Sequence, residues 1–151
     1  MSTEKTAKKR SGFTLIELVV VIGILAVLFA IVLIAINPGK QFRAANDTKR
    51  RSDVNAILNA VYQYSADQKG ALPAGIGTSA ADISLATIGA PFCNALVPTY
   101  IADLPTDPNN TVGVGCSSFD TGYNIFQSAI GGRVTVSAPH AESGTPISVT
   151  R

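Results

Sequence analysis

The chain has 151 residues, of which 46% are hydrophobic and only 15% charged, with a formal net charge of +2. That is one domain's worth, too apolar for a disordered chain and too weakly basic for a general nucleic-acid binder. One His, two Cys and no Trp exclude most His/Cys zinc sites and argue against a His-based active site.

Charge and hydropathy are segregated along the chain. Residues 1–12, MSTEKTAKKRSG, carry Lys5, Lys8, Lys9 and Arg10 against Glu4. Residues 18–36 then run 19 positions without a charge, about 28 Å of helix, close to the hydrocarbon thickness of a bilayer. A core helix of that length would show a polar face, and this one has none, so the segment reads as a transmembrane helix. The basic cluster ahead of it should stay in the cytoplasm, although Lys40 and Arg43 beyond the helix weaken the asymmetry. A cleaved secretory signal fits poorly. The apolar run is too long, and Ile36-Asn37-Pro38-Gly39 offers no small-x-small cleavage site. Glu17 stands one residue before the uncharged run. A carboxylate near bilayer depth is costly and is read first as functional, with interfacial solvation as the plain alternative.

Ser11-Gly12-Phe13-Thr14-Leu15-Ile16-Glu17-Leu18, set between a basic leader and an apolar helix, resembles the processing site of type IV pilins and pseudopilins. The resemblance implies that a prepilin peptidase cuts between Gly12 and Phe13, that Phe13 becomes the N-methylated first residue, and that Glu17 is the family's fifth-position glutamate. In that family this glutamate neutralises the new amine of a neighbouring subunit during assembly. The pairing is physically sound, because an unpaired charge in a low dielectric is costly and a paired one enforces register.

Asn37-Pro38-Gly39 should kink or restart the helix: Pro38 removes a backbone bond and kinks it, unless it sits at a first position with Asn37 as cap. Helical periodicity resumes in Val54, Ile57, Leu58, Val61, Tyr62 and Ser65, a stripe facing the C-terminal part. A single rod over residues 13–68 would span about 84 Å. Asp47 and Arg51 have the spacing of a surface pair, and Gly70 and Pro73 should end the helix. Residues 37–69 carry net +3, densest at Lys49-Arg50-Arg51. Without interleaved aromatic residues this reads as a solvated face or subunit contact rather than a nucleic-acid site.

Residues 70–151 carry net −3 and are rich in turn-forming residues. Ser79–Ile88 is expected as a short helix with Ser79 as cap, and Pro91–Tyr100 is ambiguous. Residues 123–128, 133–138 and 147–150 read as strands, the first two joined through Ile130-Gly131-Gly132. Cys93 and Cys116 lie in the exported part, where a bridge is the better expectation than two buried thiols. It would close 22 intervening residues and stabilise by about 3 kcal/mol in the loop-entropy model. Leu104-Pro105-Thr106-Asp107-Pro108 resembles a segment of the calcium-binding major pseudopilin of type II secretion. The Trp-Gly typical of that segment is replaced by Asn109-Asn110. Asp103, Asp107 and Asn109 could offer calcium some of its oxygens, but a plain Pro-Asp-Pro turn is preferred. His140 has no partner motif and reads as a loop residue. No catalytic or phosphate-binding motif appears, so no enzyme and no cofactor are expected.

The fold expected is α+β. It is a pilin-like lollipop with a transmembrane half-helix at 13–36, an amphipathic stalk at 37–69 and a head at 70–151 built on a small antiparallel sheet. The function implied by the resemblance is a structural subunit held in the cytoplasmic membrane and polymerised into an extracellular filament. Its implied partners are copies of itself, the prepilin peptidase, an assembly ATPase and a platform protein. The alternatives are a type II secretion pseudopilin and a singly anchored exported binding domain that never polymerises.

Overall fold

The computed structural model describes residues 12–110 and 115–151; apart from Gly12, the basic leader assigned to residues 1–12 lies outside them. The chain divides into two compact units, one ending at Gln41 and the other running Phe42–Arg151.

Helix α1, Leu15–Ile36, has no buried residue. Its start is fixed by a reciprocal capping box. The Glu17 N–H donates to Thr14 Oγ1 at 3.3 Å, and the Thr14 N–H donates back to Glu17 Oε2 at 3.3 Å. It ends at Asn37, whose φ of 47° is left-handed, a region that Asn tolerates better than most residues. Helix α2, Pro38–Asp67, begins immediately. The Asn37 carbonyl and its Oδ1 accept from the Lys40 N–H at 3.0 and 3.4 Å, while Pro38 lacks the donor that a first position does not use. The continuous rod over 13–68 is therefore not formed; the capped restart is. At its other end, Lys69 turns left-handed and the Gly70 N–H reaches the Ser65 carbonyl at 2.8 Å, closing the last carbonyls in a Schellman arrangement.

The second unit is built on α2. Val54, Ile57, Leu58 and Val61 are fully buried, and Tyr62 and Ser65 lie half-buried at the stripe's margin. They pack into one core with the inner face of a four-stranded antiparallel sheet. The strands are β1 (Ala81–Ser84), β2 (Asp120–Gln127), β3 (Val134–Ala138) and β4 (Ile147–Thr150), paired in chain order. Register places Ile125 opposite Val136 and Val136 opposite Val149 on the core side. The outer side carries Asp82, Asn124, Ser137 and Ser148 as one row. This alternation is what a sheet with one covered face requires.

Two local expectations change. Ser79–Ile88 is not a helix: Ala81–Ser84 is edge strand β1, with Ile83 buried. The Thr121 hydroxyl donates to the Ile83 carbonyl at 3.0 Å, so pairing with β2 outweighs the local capping pattern. Pro91–Tyr100, ambiguous in sequence, contains helix α3, Ala90–Leu96, with Pro91 in its first turn and Phe92, Cys93 and Leu96 in the core. Cys93 is bonded to Cys116, Cα to Cα 5.4 Å, stapling α3 to the segment that leads into β2.

Candidate functional site

Two charged constellations stand out, and they differ in kind. The first is at the entry to α1. Gly12, Phe13, Thr14 and Glu17 are all exposed, with Phe13 88% accessible. Glu17 accepts from both the N–H and the hydroxyl of Thr14, and both bonds fall on Oε2. Its Oε1 has no partner among the described residues. Sequence reasoning placed Glu17 but missed that Thr14 orients it. The signal was present, because Thr14-Leu15-Ile16-Glu17 is itself a capping-box pattern. Behind Glu17, α1 is long and apolar enough to cross a membrane, and its whole surface is exposed.

The second constellation is wholly inside the second unit. Arg50 is fully buried and sits among three carboxylates. Its Nε and Nη2 donate to Asp107 Oδ2 and Oδ1 at 2.6 and 3.0 Å, and its Nη1 donates to Asp47 Oδ1 at 2.9 Å. Glu142 lies 3.7 Å from Nη2. Asp47 also accepts from the N–H groups of Glu142 and Ser143 at 3.0 and 2.7 Å. The arrangement ties α2 to the Leu104–Asn110 turn and to the loop between β3 and β4. The expected Asp47–Arg51 surface pair is thus replaced by a buried Asp47–Arg50 pair, three residues apart. Lys49-Arg50-Arg51 is likewise not a uniform solvated face. Arg50 points into the unit, while Lys49 is anchored on Asp53 at 2.6 Å and on the Thr106 carbonyl at 2.7 Å.

The electrostatics follow from this packing. Burial alone would raise the Asp47 carboxyl, but hydrogen bonds from Ser143, the Glu142 N–H and Arg50 outweigh it and hold it well below the usual range. Asp107 is lowered in the same way: burial opposes, while Arg50 and the Asn109 N–H prevail. Arg50 is raised, first by its hydrogen bonds to Asp107. Nearby, burial and then Asp53 push the Tyr123 phenol upward, its hydroxyl donating to Asp53 Oδ2 at 2.8 Å.

The candidate calcium residues are not arranged as one oxygen shell. Asp107 has both oxygens on Arg50, with Oδ1 shared by the Asn109 N–H. The Asn109 side chain donates to Glu142 at 2.5 Å, and Asp103 accepts from the Leu104 N–H. Among the described residues no group of three or more His, Cys, Asp or Glu side chains could hold a metal ion. Asp82, Asp120, Asn110 and the exposed His140 border an open cleft of about 370 Å³ on the outer side of the sheet, beside the committed Asp107.

Residues 7–33 match the family model described as the prokaryotic N-terminal methylation motif, which is the type IV pilin-like prepilin motif. No curated protein and no solved structure matches the chain. The match therefore falls on the first constellation.

Proposed function

We propose that the chain is a structural subunit of a type IV pilus-like filament. It is made as a prepilin, cut between Gly12 and Phe13, N-methylated at Phe13 and polymerised from the cytoplasmic membrane, where α1 holds it with its N-terminus inside. The observation that carries this reading is a motif of prepilin type whose glutamate lies in the first turn of a fully exposed, otherwise uncharged helix. Such a helix is stable only in lipid or against other apolar helices, and a filament core supplies the second.

The capping geometry supports a pairing role for Glu17. Thr14 holds one carboxylate oxygen and leaves Oε1 for a donor from outside the described residues. The amine created at Phe13 of a neighbouring copy is such a donor. Its positive charge offsets part of the penalty of carrying Glu17 into an apolar helix bundle, where an unpaired carboxylate would be far more costly. No catalytic role is assigned to any residue. The prepilin peptidase, assembly ATPase and platform protein are the partners that this route requires.

Mass spectrometry of material sheared from the cell surface tests the proposal. A chain beginning at methylated Phe13 and abundant in that fraction is the expected result. A chain that keeps Met1–Gly12 and stays in the membrane leaves an ordinary anchored domain and refutes the filament reading.

A further inference from the structure

Ile130 is the most exposed large apolar side chain among the described residues, at 89%. A single exposed apolar residue needs no explanation by itself. This one stands on a held tip. It lies in the β2–β3 hairpin turn, where the Ser128 hydroxyl donates to the Ile130 carbonyl at 2.8 Å and the Ser128 N–H donates to the Arg133 carbonyl at 2.7 Å. The Gln127 side chain donates to the Gly132 carbonyl at 3.0 Å. Gly131 and Gly132 take φ of 82° and 65°, a region the turn needs and glycine enters freely. Three residues on, Arg133 is exposed, and its guanidinium has no partner among the described residues.

The other end of the sheet offers the complement. Ala138, Pro139, Ala141, Pro146 and Ile147 line a mainly apolar cleft of about 350 Å³. Pro139 also borders the cleft of Asp82 and Asp120. The two therefore form one depression, apolar at β3–β4 and acidic at β1–β2. Asp107 in that depression is committed to Arg50, but Asp82 is exposed and has no side-chain partner among the described residues. The five residues of β3, rising about 3.3 Å each, put about 15 Å between the tip and the depression. A chain therefore cannot seat its own Ile130. A knob at one end and its receptor at the other make a heterologous contact, which repeats from copy to copy instead of closing into a dimer.

We infer that the β2–β3 tip of one copy docks in this depression of the next, with Ile130 in the apolar cleft and the Arg133 guanidinium on Asp82 and Asp120. The occupant is a second copy of this chain, selected by apolar fit and opposite charge together. Burial of Ile130 supplies affinity, while the ion pair at the rim sets orientation. So small a contact is weak between free molecules and becomes effective when copies are already held side by side. The inference deepens the proposed filament function and rests on it.

Cys93 and Cys116 are bonded to each other, so an introduced cysteine pair supplies the only free thiols. Thr145 is an exposed residue of the apolar cleft. The full-length variant carrying Ile130→Cys and Thr145→Cys is expressed in cells, and the sheared fraction is run on a nonreducing gel. A ladder of covalent multimers is expected, because the contact repeats, and either single variant should stay monomeric. Ile130→Ser should lower the sheared yield about ten- to hundredfold, with the unfolding midpoint in urea and the processing at Phe13 unchanged. Arg133→Glu should lower the yield as well, and adding Asp82→Lys should restore it. Normal sheared yield from Ile130→Ser, with no ladder from the cysteine pair, overturns the contact and leaves the filament reading standing. Covalent dimers from Ile130→Cys alone put two tips together and also overturn it. An unsubstituted chain that never reaches the sheared fraction refutes the filament reading, and the contact with it.

Discussion

Arg50 is the side chain whose removal the structure makes most costly. It is fully buried, Asp47 and Asp107 keep 4% and 1% of their side-chain surface, and three charge-assisted bonds of 2.6–3.0 Å join them. Removing one member of such a set leaves the others buried without compensation, which costs about 3–5 kcal/mol. Asp47 keeps two backbone N–H donors and Asp107 keeps the Asn109 N–H, so Arg50→Met is expected at the lower end, near 3 kcal/mol. Arg50→Lys retains the charge but not the two-pronged contact with Asp107, and should cost about 1–2 kcal/mol. Against a typical stability of about 5–15 kcal/mol the larger loss is decisive. The assay is urea unfolding of the full chain in detergent micelles, followed by the near-ultraviolet signal of its tyrosines, because α1 stays helical in the micelle and would mask a backbone signal.

Acid titration supplies the second readout. Asp47 and Asp107 lie below the ordinary carboxylate value when folded, so between the two values the unfolded chain binds more protons. Stability must therefore rise with pH through that interval. The contribution is complete above about pH 4, the unfolded value, and is lost as pH falls through the folded ones. In Arg50→Met, burial acts on Asp107 with little opposition, so the acid transition should begin at higher pH than in the parent. An Arg50→Met variant within about 1 kcal/mol of the parent, with an unchanged acid transition, would refute the reasoning.

Three further outcomes are expected. Glu17→Gln keeps a side chain competent for the capping box but removes the charge, so processing should persist while filament yield collapses; normal filaments from this variant would sink the charge-pairing idea. Changing Cys93 and Cys116 to Ser together should lower stability by about 3 kcal/mol in the same urea assay, and an unchanged midpoint would show that the bridge constrains nothing. Gly122 has φ +71°, and a Cβ there would stand 3.0 Å from the Asp107 Cβ. Gly122→Ala should therefore destabilise by at least about 1 kcal/mol, through backbone strain and by displacing Asp107 from Arg50. A neutral Ala variant would mean that the turn moves freely.

How much of this was legible in the sequence depended on the range of the forces involved. The α1 motif, the α2 stripe, the restart at Asn37-Pro38 and the β2–β3 hairpin are all written in patterns a few residues long. The disulfide was legible from compartment and count. By contrast, β1 carries a helix-start pattern at Ser79–Asp82 and becomes a strand only because β2, some forty residues on, pairs with it. Arg50 is the sharper case. Within Lys49-Arg50-Arg51 nothing local separates the inward side chain from its neighbours, and its principal partner, Asp107, lies 57 residues away in a turn that also suits calcium chemistry. Net charge and i,i+4 spacing describe an isolated helix, and they lose to tertiary burial.

The two charged constellations use the same carboxylate–cation chemistry to opposite ends. Around Arg50 the donors and acceptors meet within one chain, away from water, so the network is complete before any partner arrives. At Glu17, Thr14 holds Oε2, Oε1 is open among the described residues, and the helix behind it has no covered face; on the proposed reading this is half of a pair. A complete pair adds to the stability of the unit that contains it, whereas an incomplete one contributes only when a second molecule supplies the missing charge. Changes at Arg50 should therefore appear in the urea midpoint of dispersed protein at any concentration. Changes at Glu17 should leave that midpoint alone and appear only in assembly. A Glu17→Gln variant that unfolds early, or an Arg50→Lys variant that folds normally but fails to assemble, would show that this division between the two sites is wrong.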